Sequence, residues 1–314
     1  MTIEKPKVLI TDSVHKVLIE GLSDLGFSCD YMPSITLNEV LTIIHKYEGI
    51  VVNSKIIVDR LFLDKALRLK FIGRLGSGLE IIDLNYARKK NVVVLRSPDG
   101  NCDAVAEHVM GMLLALAINL KNSDAELRNK IWNREKNRGW EVKNKTIGIL
   151  GFGYTGSAFA RRLEGFGANV LAYDKYKSNY ATDYPYVKET TIEQIFNKVD
   201  VLSLHLPSTE ETKGLVDSKF FEKFAKPIVL INSSRGNIVC TADLLDALDS
   251  GLVSGACLDV FENEKADTYT DKEEFLYKNL FRRDNVLLTP HVAGWTVESK
   301  ERLAKLLLDR IRKL

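Results

Sequence analysis

Short apolar runs, separated by stretches in which apolar residues recur every third or fourth position, fill the chain from Lys7 to Ser97. The runs Val8–Thr11, Gly49–Asn53, Phe71–Arg74 and Val92–Leu95 read as strands and the intervening stretches as amphipathic helices, the alternation of a parallel sheet covered by helices. Thr36-Leu37-Asn38-Glu39 has the form of a capping box ahead of Val40, Ile43 and Ile44, so a helix starts there. The turn-rich segment Ser97-Pro98-Asp99-Gly100-Asn101 closes this region. Asp103 to Asn119 then reads as one long, largely apolar helix, and Asp124 to Trp140 as a charged, tryptophan-containing stretch without a strand. The alternation resumes at Thr146–Leu150 and Asn169–Tyr173 and continues through Asp200–Leu206, Pro227–Asn232, Gly255–Val260 and Asn285–Thr289, giving the six strands of a doubly wound dinucleotide-binding sheet. Glu298 to Leu314 is helical again. The expected class is therefore α/β, with one β/α domain at 1–102, completed by 290–314, and a second at 103–289.

Between the first two strands of the second domain stands Gly151-Phe152-Gly153-Tyr154-Thr155-Gly156, opening a helical pattern. Gly151 permits the tight turn, Gly153 lets the backbone approach a pyrophosphate, and Gly156 lets the helix pack close to the strand. The unpaired N–H groups of the helix start suit phosphates. Asp174 ends the next strand, about twenty positions beyond the last glycine, where a carboxylate accepts from ribose hydroxyls and repels a 2′-phosphate. NAD rather than NADP is the expected cofactor, with Lys175 and Lys177 the cations that could reverse that choice.

Composition narrows the function further. A chain of 314 residues with 45% hydrophobic and 27% charged residues fits two ordinary globular domains. A net charge of +2, from 44 basic and 42 acidic residues, leaves no electrostatic footprint for nucleic acid. Cys29, Cys102, Cys240 and Cys257 form no CxxC pair, so neither a metal site nor a disulfide framework is expected, and reduced thiols in a cytoplasm fit them. Met1-Thr2-Ile3-Glu4-Lys5-Pro6 has no apolar leader core, and no apolar run approaches the ~20 residues of a membrane span. A soluble, cytoplasmic protein without a membrane partner follows as an expectation.

Three later segments carry chemistry: Asn232-Ser233-Ser234-Arg235-Gly236, then Gly255 to Glu264, then Thr289-Pro290-His291-Val292-Ala293-Gly294-Trp295-Thr296. Arg235, Asp259 and His291 stand at the carboxyl ends of successive strands, where an open α/β sheet binds its ligand. An arginine, a carboxylate and a histidine there suit carbonyl reduction.

With these segments in view, the chain resembles the D-isomer specific 2-hydroxyacid dehydrogenases over nearly its whole length. The likeness runs through Gly73-Arg74-Leu75-Gly76-Ser77-Gly78-Leu79-Glu80-Ile81-Ile82-Asp83-Leu84, Pro98-Asp99-Gly100-Asn101 and Val105-Ala106-Glu107. It continues through the glycine motif, His205-Leu206-Pro207 with Thr209, Glu211 and Thr212, and the three later segments. The resemblance implies a flavodoxin-like substrate domain and an inserted Rossmann NAD domain, with a cleft between them. It implies that His291 is the general acid for the carbonyl oxygen and the base in reverse. Glu264 would hold the imidazole protonated, moving a group of pKa about 6.5 toward working pH. Arg235 would bind the carboxylate and polarise the carbonyl. Asp259 would meet the nicotinamide. Cofactor contacts are further implied for Gly151, Gly153, Tyr154, Thr155, Gly156, Asp174, His205, Pro207, Thr212, Ser233, Ser234 and Gly294. Substrate contacts are implied for Asn53, Lys55, Arg74, Gly76, Ser77, Gly78 and Asn101, and a homodimer through the Asp103–Asn119 helix and the Trp132 region.

Departures from the family pattern bear on the substrate. Members that oxidise 3-phosphoglycerate to 3-phosphohydroxypyruvate for serine biosynthesis usually carry an arginine at the position of Asn53; Lys55, Arg74 and Arg134 are the cations that could replace it. That reaction is the leading expectation, with glyoxylate or hydroxypyruvate reduction as the alternative. An NAD-sensing, corepressor-like interaction protein is the alternative from another class. Formate oxidation is disfavoured, because those relatives have a glutamine where Glu264 stands. Lys265 to Glu273 is an added charged stretch, and with Leu314 as its last residue the chain is expected to lack the C-terminal regulatory domains of some relatives.

Overall fold

The computed structural model describes residues 5–314; Met1–Glu4, the start of the segment inspected for a leader, lie outside the described residues. Two compact units emerge, one made of the residues up to Asn101 together with Trp295–Leu314, the other of Cys102–Gly294. The chain re-enters the first unit at Trp295, beyond Pro290.

In the first unit the order is β1 (Lys7–Ile10), α1 (Lys16–Asp24), β2 (Ser28–Tyr31), α2 (Leu37–Ile43), β3 (Gly49–Val52), α3 (Arg60–Lys65), β4 (Phe71–Arg74), α4 (Leu84–Lys89) and β5 (Val93–Arg96), with the C-terminal helix Val297–Ile311. All strands are parallel in the order β2-β1-β3-β4-β5, the flavodoxin-like arrangement. The four strands read from the sequence become five; the added one, β2, has the sequence SCDY and no continuous apolar run. The expected capping box at Thr36 and Glu39 starts α2. One sheet face is covered from the far end of the chain: Ala304, Leu307, Leu308 and Ile311 pack with Val8, Ile10, Leu18, Leu22, Val51 and Phe71.

The second unit opens with α5 (Cys102–Ala117) and α6 (Leu120–Arg128). The helix expected from Asp103 to Asn119 is α5, ending at Ala117, and a second helix not expected from the sequence, α6, follows after Asn119, whose backbone is left-handed at φ 54°. Then follow β6 (Thr146–Leu150), α7 (Tyr154–Glu164), β7 (Asn169–Tyr173), β8 (Val187–Glu189), α8 (Ile192–Lys198), β9 (Val201–Leu204), α9 (Ser218–Phe221), β10 (Ile228–Asn232), α10 (Thr241–Asp249), β11 (Val253–Leu258), α11 (Asp271–Phe281) and β12 (Val286–Leu288). The expected six strands are seven, in the parallel order β12-β11-β10-β9-β6-β7-β8; the added one is the short edge strand β8. This is a doubly wound sheet extended by β12. Because every strand runs the same way, the loops after β6, β7, β9, β10, β11 and β12 leave from one edge, and they carry the chemistry-bearing segments. Among the described residues no single helix is long and apolar enough to cross a membrane, and no group of His, Cys, Asp or Glu is arranged to hold a metal ion.

Candidate active site

The turn out of β6 is built by close approach. Gly151 is left-handed at φ +92°, and its N–H donates to Tyr173 O at 2.8 Å. A Cβ on Gly156 would lie 2.1 Å from Gly151 O, so the first turn of α7 can rest on the strand end only with glycine there. Gly153 caps α7 without a side chain, and no atom lies within 4 Å of where its Cβ would be. The first-turn amides, at Tyr154 and Thr155, thus face a space without a competing cap, the arrangement that receives an anion.

Asp174 follows β7 with its carboxylate already oriented: Phe152 N donates to Oδ2 at 2.9 Å and Tyr176 N to Oδ1 at 3.0 Å. A carboxylate has about four acceptor positions, so two remain for ribose hydroxyls. Behind it, Tyr180 OH accepts from Asp174 N at 3.2 Å and donates to Ala172 O at 2.7 Å. Burial pushes that phenol up to about 12. Tyr180 was not singled out in the sequence; its only signal there is its place in a tyrosine-rich stretch.

His205, just past β9, packs on Phe159 and sets Nε2 2.9 Å from Ser203 Oγ. Burial lowers its pKa to about 4, so it stays neutral. Thr212 Oγ1 donates to Pro207 O at 2.6 Å and closes the next loop. After β10, the buried Asn232 accepts from Ser234 Oγ at 2.7 Å and donates to Arg235 O at 3.0 Å, which sets the turn presenting Arg235. Ser233 Oγ is buried and has no protein partner among the described residues.

Glu264 and His291 meet directly, with Oε2 and Nδ1 2.8 Å apart. A carboxylate only accepts, so Nδ1 carries the proton and Nε2 is the atom left for chemistry. The bond to Glu264 raises the imidazole pKa above its ordinary value, outweighing partial burial; the Glu264 and Asp259 charges add to the rise and Arg235 opposes it. The backbone of His291 is left-handed at φ 53°, a conformation that costs a side-chain-bearing residue about 1–2 kcal/mol.

Asp259 holds it there. Only 1% exposed, this carboxylate accepts from Val292 N at 2.9 Å, Ala293 N at 3.0 Å and Thr289 Oγ1 at 2.6 Å, while Asp259 O accepts from His291 N at 2.8 Å. His108 of α5 joins from below, Nε2 lying 3.0 Å from Thr289 Oγ1. The resemblance implies that Asp259 meets the nicotinamide; in the structure its oxygens are engaged by the turn that ends at Gly294. From the sequence, Thr289 is named only as a segment boundary and His108 is not named, although His108 directly follows the Val105-Ala106-Glu107 motif.

In the first unit, Arg74 at the end of β4 donates from Nη1 to Asn53 Oδ1 and to Leu75 O, each at 2.5 Å. Arg96 Nη1 donates to Ser77 O at 3.2 Å. These bonds occupy carbonyls of the loop that bears Gly76, Ser77 and Gly78, whereas the Ser77 and Gly78 amides donate to no protein group among the described residues. Lys55 Nζ is engaged by Pro33 O at 2.6 Å, and Asn101 immediately precedes α5.

Residues 110–293 match the family model described as D-isomer specific 2-hydroxyacid dehydrogenase, NAD binding domain. The chain is 33% identical over 305 residues to D-3-phosphoglycerate dehydrogenase of Archaeoglobus fulgidus, covering 97% of this chain and 56% of that protein. Among solved structures, D-lactate dehydrogenase from Aquifex aeolicus, complexed with NAD and lactic acid, aligns with TM-score 0.85 and 29% identity over 97% of this chain and 94% of the other. A glyoxylate reductase from Paecilomyes thermophila shares the fold, with TM-score 0.86 and 22% identity over 99% and 95%. The chain spans about half the length of the curated relatives it matches.

Proposed function

The chain belongs to the D-isomer specific 2-hydroxyacid dehydrogenase family, with its NAD-binding domain at residues 110–293, and on that premise we propose that it is an NAD-dependent oxidoreductase interconverting a D-2-hydroxyacid and its 2-oxoacid. The observation that carries the reading is the 2.8 Å contact between Glu264 and His291 Nδ1 on the same edge of the sheet as Arg235 and the glycine loop. The loop residues fit a dinucleotide: the start of α7 is uncapped, the Asp174 carboxylate is pre-oriented, and the buried atoms Ser233 Oγ and His205 Nδ1 lack protein partners among the described residues. Gly151, Gly153, Tyr154, Thr155 and Gly156 would hold the pyrophosphate and Asp174 the adenosine ribose. His205, Pro207, Thr212, Ser233, Ser234 and Gly294 would line the remainder, with Asp259 holding the turn that bears His291 and Gly294. When bound, NAD supplies the hydride acceptor, and NADH the donor.

Arg235 binds the substrate carboxylate and draws electron density from the carbonyl, work suited to a fixed fork of donors. His291 Nε2 gives its proton to the carbonyl oxygen during reduction and takes it back during oxidation. Glu264 raises the imidazole pKa and so favours the protonated form that donates. In the first unit, the Ser77 and Gly78 amides with Gly76, Asn53, Lys55, Arg74 and Asn101 form the anion-holding part of the substrate site. The exposed apolar residues Ile118, Leu120, Leu127, Ile131 and Trp132 form the surface of a homodimer.

3-Phosphohydroxypyruvate is the first substrate to test, in keeping with relatives of that name, and its reduction would place the reverse reaction in serine biosynthesis. Asn53 in place of an arginine, with Arg74 tied to it, favours the second reading, an unphosphorylated 2-oxoacid such as glyoxylate or hydroxypyruvate. The test is a steady-state panel of 2-oxoacids with NADH. On the first reading phosphohydroxypyruvate exceeds hydroxypyruvate in kcat/KM by about tenfold, roughly 1.4 kcal/mol, and Arg74→Ala removes most of that margin. Equal or better use of hydroxypyruvate or glyoxylate selects the second, and absence of turnover on every 2-oxoacid rejects both.

A further inference from the structure

Two lysines, Lys175 and Lys177, follow the carboxylate of Asp174. Free ammonium groups at that place would attract the 2′-phosphate that distinguishes NADPH from NADH and would offset the repulsion from Asp174. Both lysines are engaged elsewhere. Lys177 Nζ donates to Phe152 O at 2.9 Å. Lys175 Nζ is ion-paired with Glu211 Oε1, and Tyr176 OH donates to Glu211 Oε2, so one carboxylate takes both neighbours, one on each oxygen. Lys175 Nζ also lies 5.7 Å from the centroid of the Tyr176 ring. Glu211 comes from the loop after β9, in the segment closed by Thr212 and Pro207. The formal charges of Asp174 and Glu211 together cancel those of Lys175 and Lys177.

We propose that Glu211 is a cofactor-specificity residue: by engaging Lys175 and Tyr176 it withholds the lysine from a 2′-phosphate and keeps the site selective for NAD. Asp174 supplies repulsion, and Glu211 removes the cation that would compensate for it. This rests on the reading of the glycine loop and Asp174 as a dinucleotide site. Because Lys175 and Glu211 are solvent-exposed, the effect is largest at low ionic strength, where screening is weak.

The experiment is equilibrium binding of NADH and of NADPH to the purified full chain at low salt, followed by quenching of protein fluorescence. Glu211→Gln is expected to tighten NADPH binding by about tenfold while NADH binding moves by less than about threefold, since one charge-assisted contact to phosphate is gained and none to NADH is lost. Glu211→Thr, which removes the carboxylate with a different shape, should do the same. Adding Lys175→Met to Glu211→Gln should return NADPH to the starting affinity. Unchanged NADPH affinity in both Glu211 variants overturns the assignment, as does a gain that survives Lys175→Met. In either case NADH still binds; a starting chain that binds neither dinucleotide instead overturns the nucleotide-site reading beneath it.

Discussion

His291 holds two states in balance, and the balance is set by Glu264. The folded chain favours the imidazolium, because a hydrogen-bonded carboxylate raises the pKa. Protonated His291 therefore contributes to stability fully below the ordinary histidine range, and that contribution fades as pH rises through the raised value. The side chain is 47% exposed, which makes the contribution small; catalysis is the better readout. The rate of 2-oxoacid reduction should fall as pH rises through the raised value. Glu264→Gln should move that inflection down toward about 6.5, whereas His291→Ala should remove the inflection and cost about 10² to 10⁴ in turnover. An inflection that stays put in Glu264→Gln would mean that Glu264 does not tune the acid.

One element organises this chemistry: the turn from Thr289 to Gly294, clamped by Asp259 from the end of β11. Asp259→Asn puts an NH₂ group where a backbone N–H or the Thr289 hydroxyl needs an acceptor. The expected cost is about 1–3 kcal/mol of stability, seen as a lower denaturation midpoint, with reduced turnover and NADH affinity retained. Loss of NADH affinity at unchanged stability would instead mean that the carboxylate meets the nicotinamide, as the family resemblance implies. Asp259 was legible as a site residue, but the turn it holds was not, because its donors are backbone amides, which every residue possesses. The same contrast runs through the fold. The central strands β1, β3, β6, β9 and β10 were legible, since burial on both faces demands unbroken apolar runs. The edge strands β2 and β8 were not: β2 is SCDY and β8 buries just Val187 of its three residues, whereas the edge strands β5 and β12 keep the apolar runs VVL and VLL. Helix α6 has only Leu120, Ala125 and Leu127 as apolar residues among nine and buries none of them, so its pattern is weak against a charged stretch. Arg235, Glu264 and His291 stood out because each follows a legible strand. His108 and Tyr180 act through contacts distant in sequence or within an irregular loop, and neither has a periodic signal.

At the scale of the whole molecule, apolar side chains just after α5, on α6 and in the loop beyond stand out to solvent: Ile118, Leu120, Leu127, Ile131 and Trp132 are each more than half exposed. Such a patch is a partner surface or a liability. The expected assembly is a homodimer by sedimentation, and Leu127→Glu with Trp132→Glu should convert it to monomers. A starting chain that sediments as a monomer rejects the assembly. The separation of the first unit into two stretches of chain bears on how the molecule is made. Its core is finished by Ala304, Leu307, Leu308 and Ile311, so one face of the sheet of β1 to β5 stays uncovered until residues beyond the second unit join it, whereas the second unit is continuous in sequence. Once that unit folds, its own ends are brought together, as the 3.0 Å approach of His108 and Thr289 records. Closing the first unit then means joining two nearby strands of chain rather than the ends of a long flexible coil, whose entropy has been removed in advance. Folding of the inserted unit thus lowers the entropic cost of bringing together the two stretches that flank it.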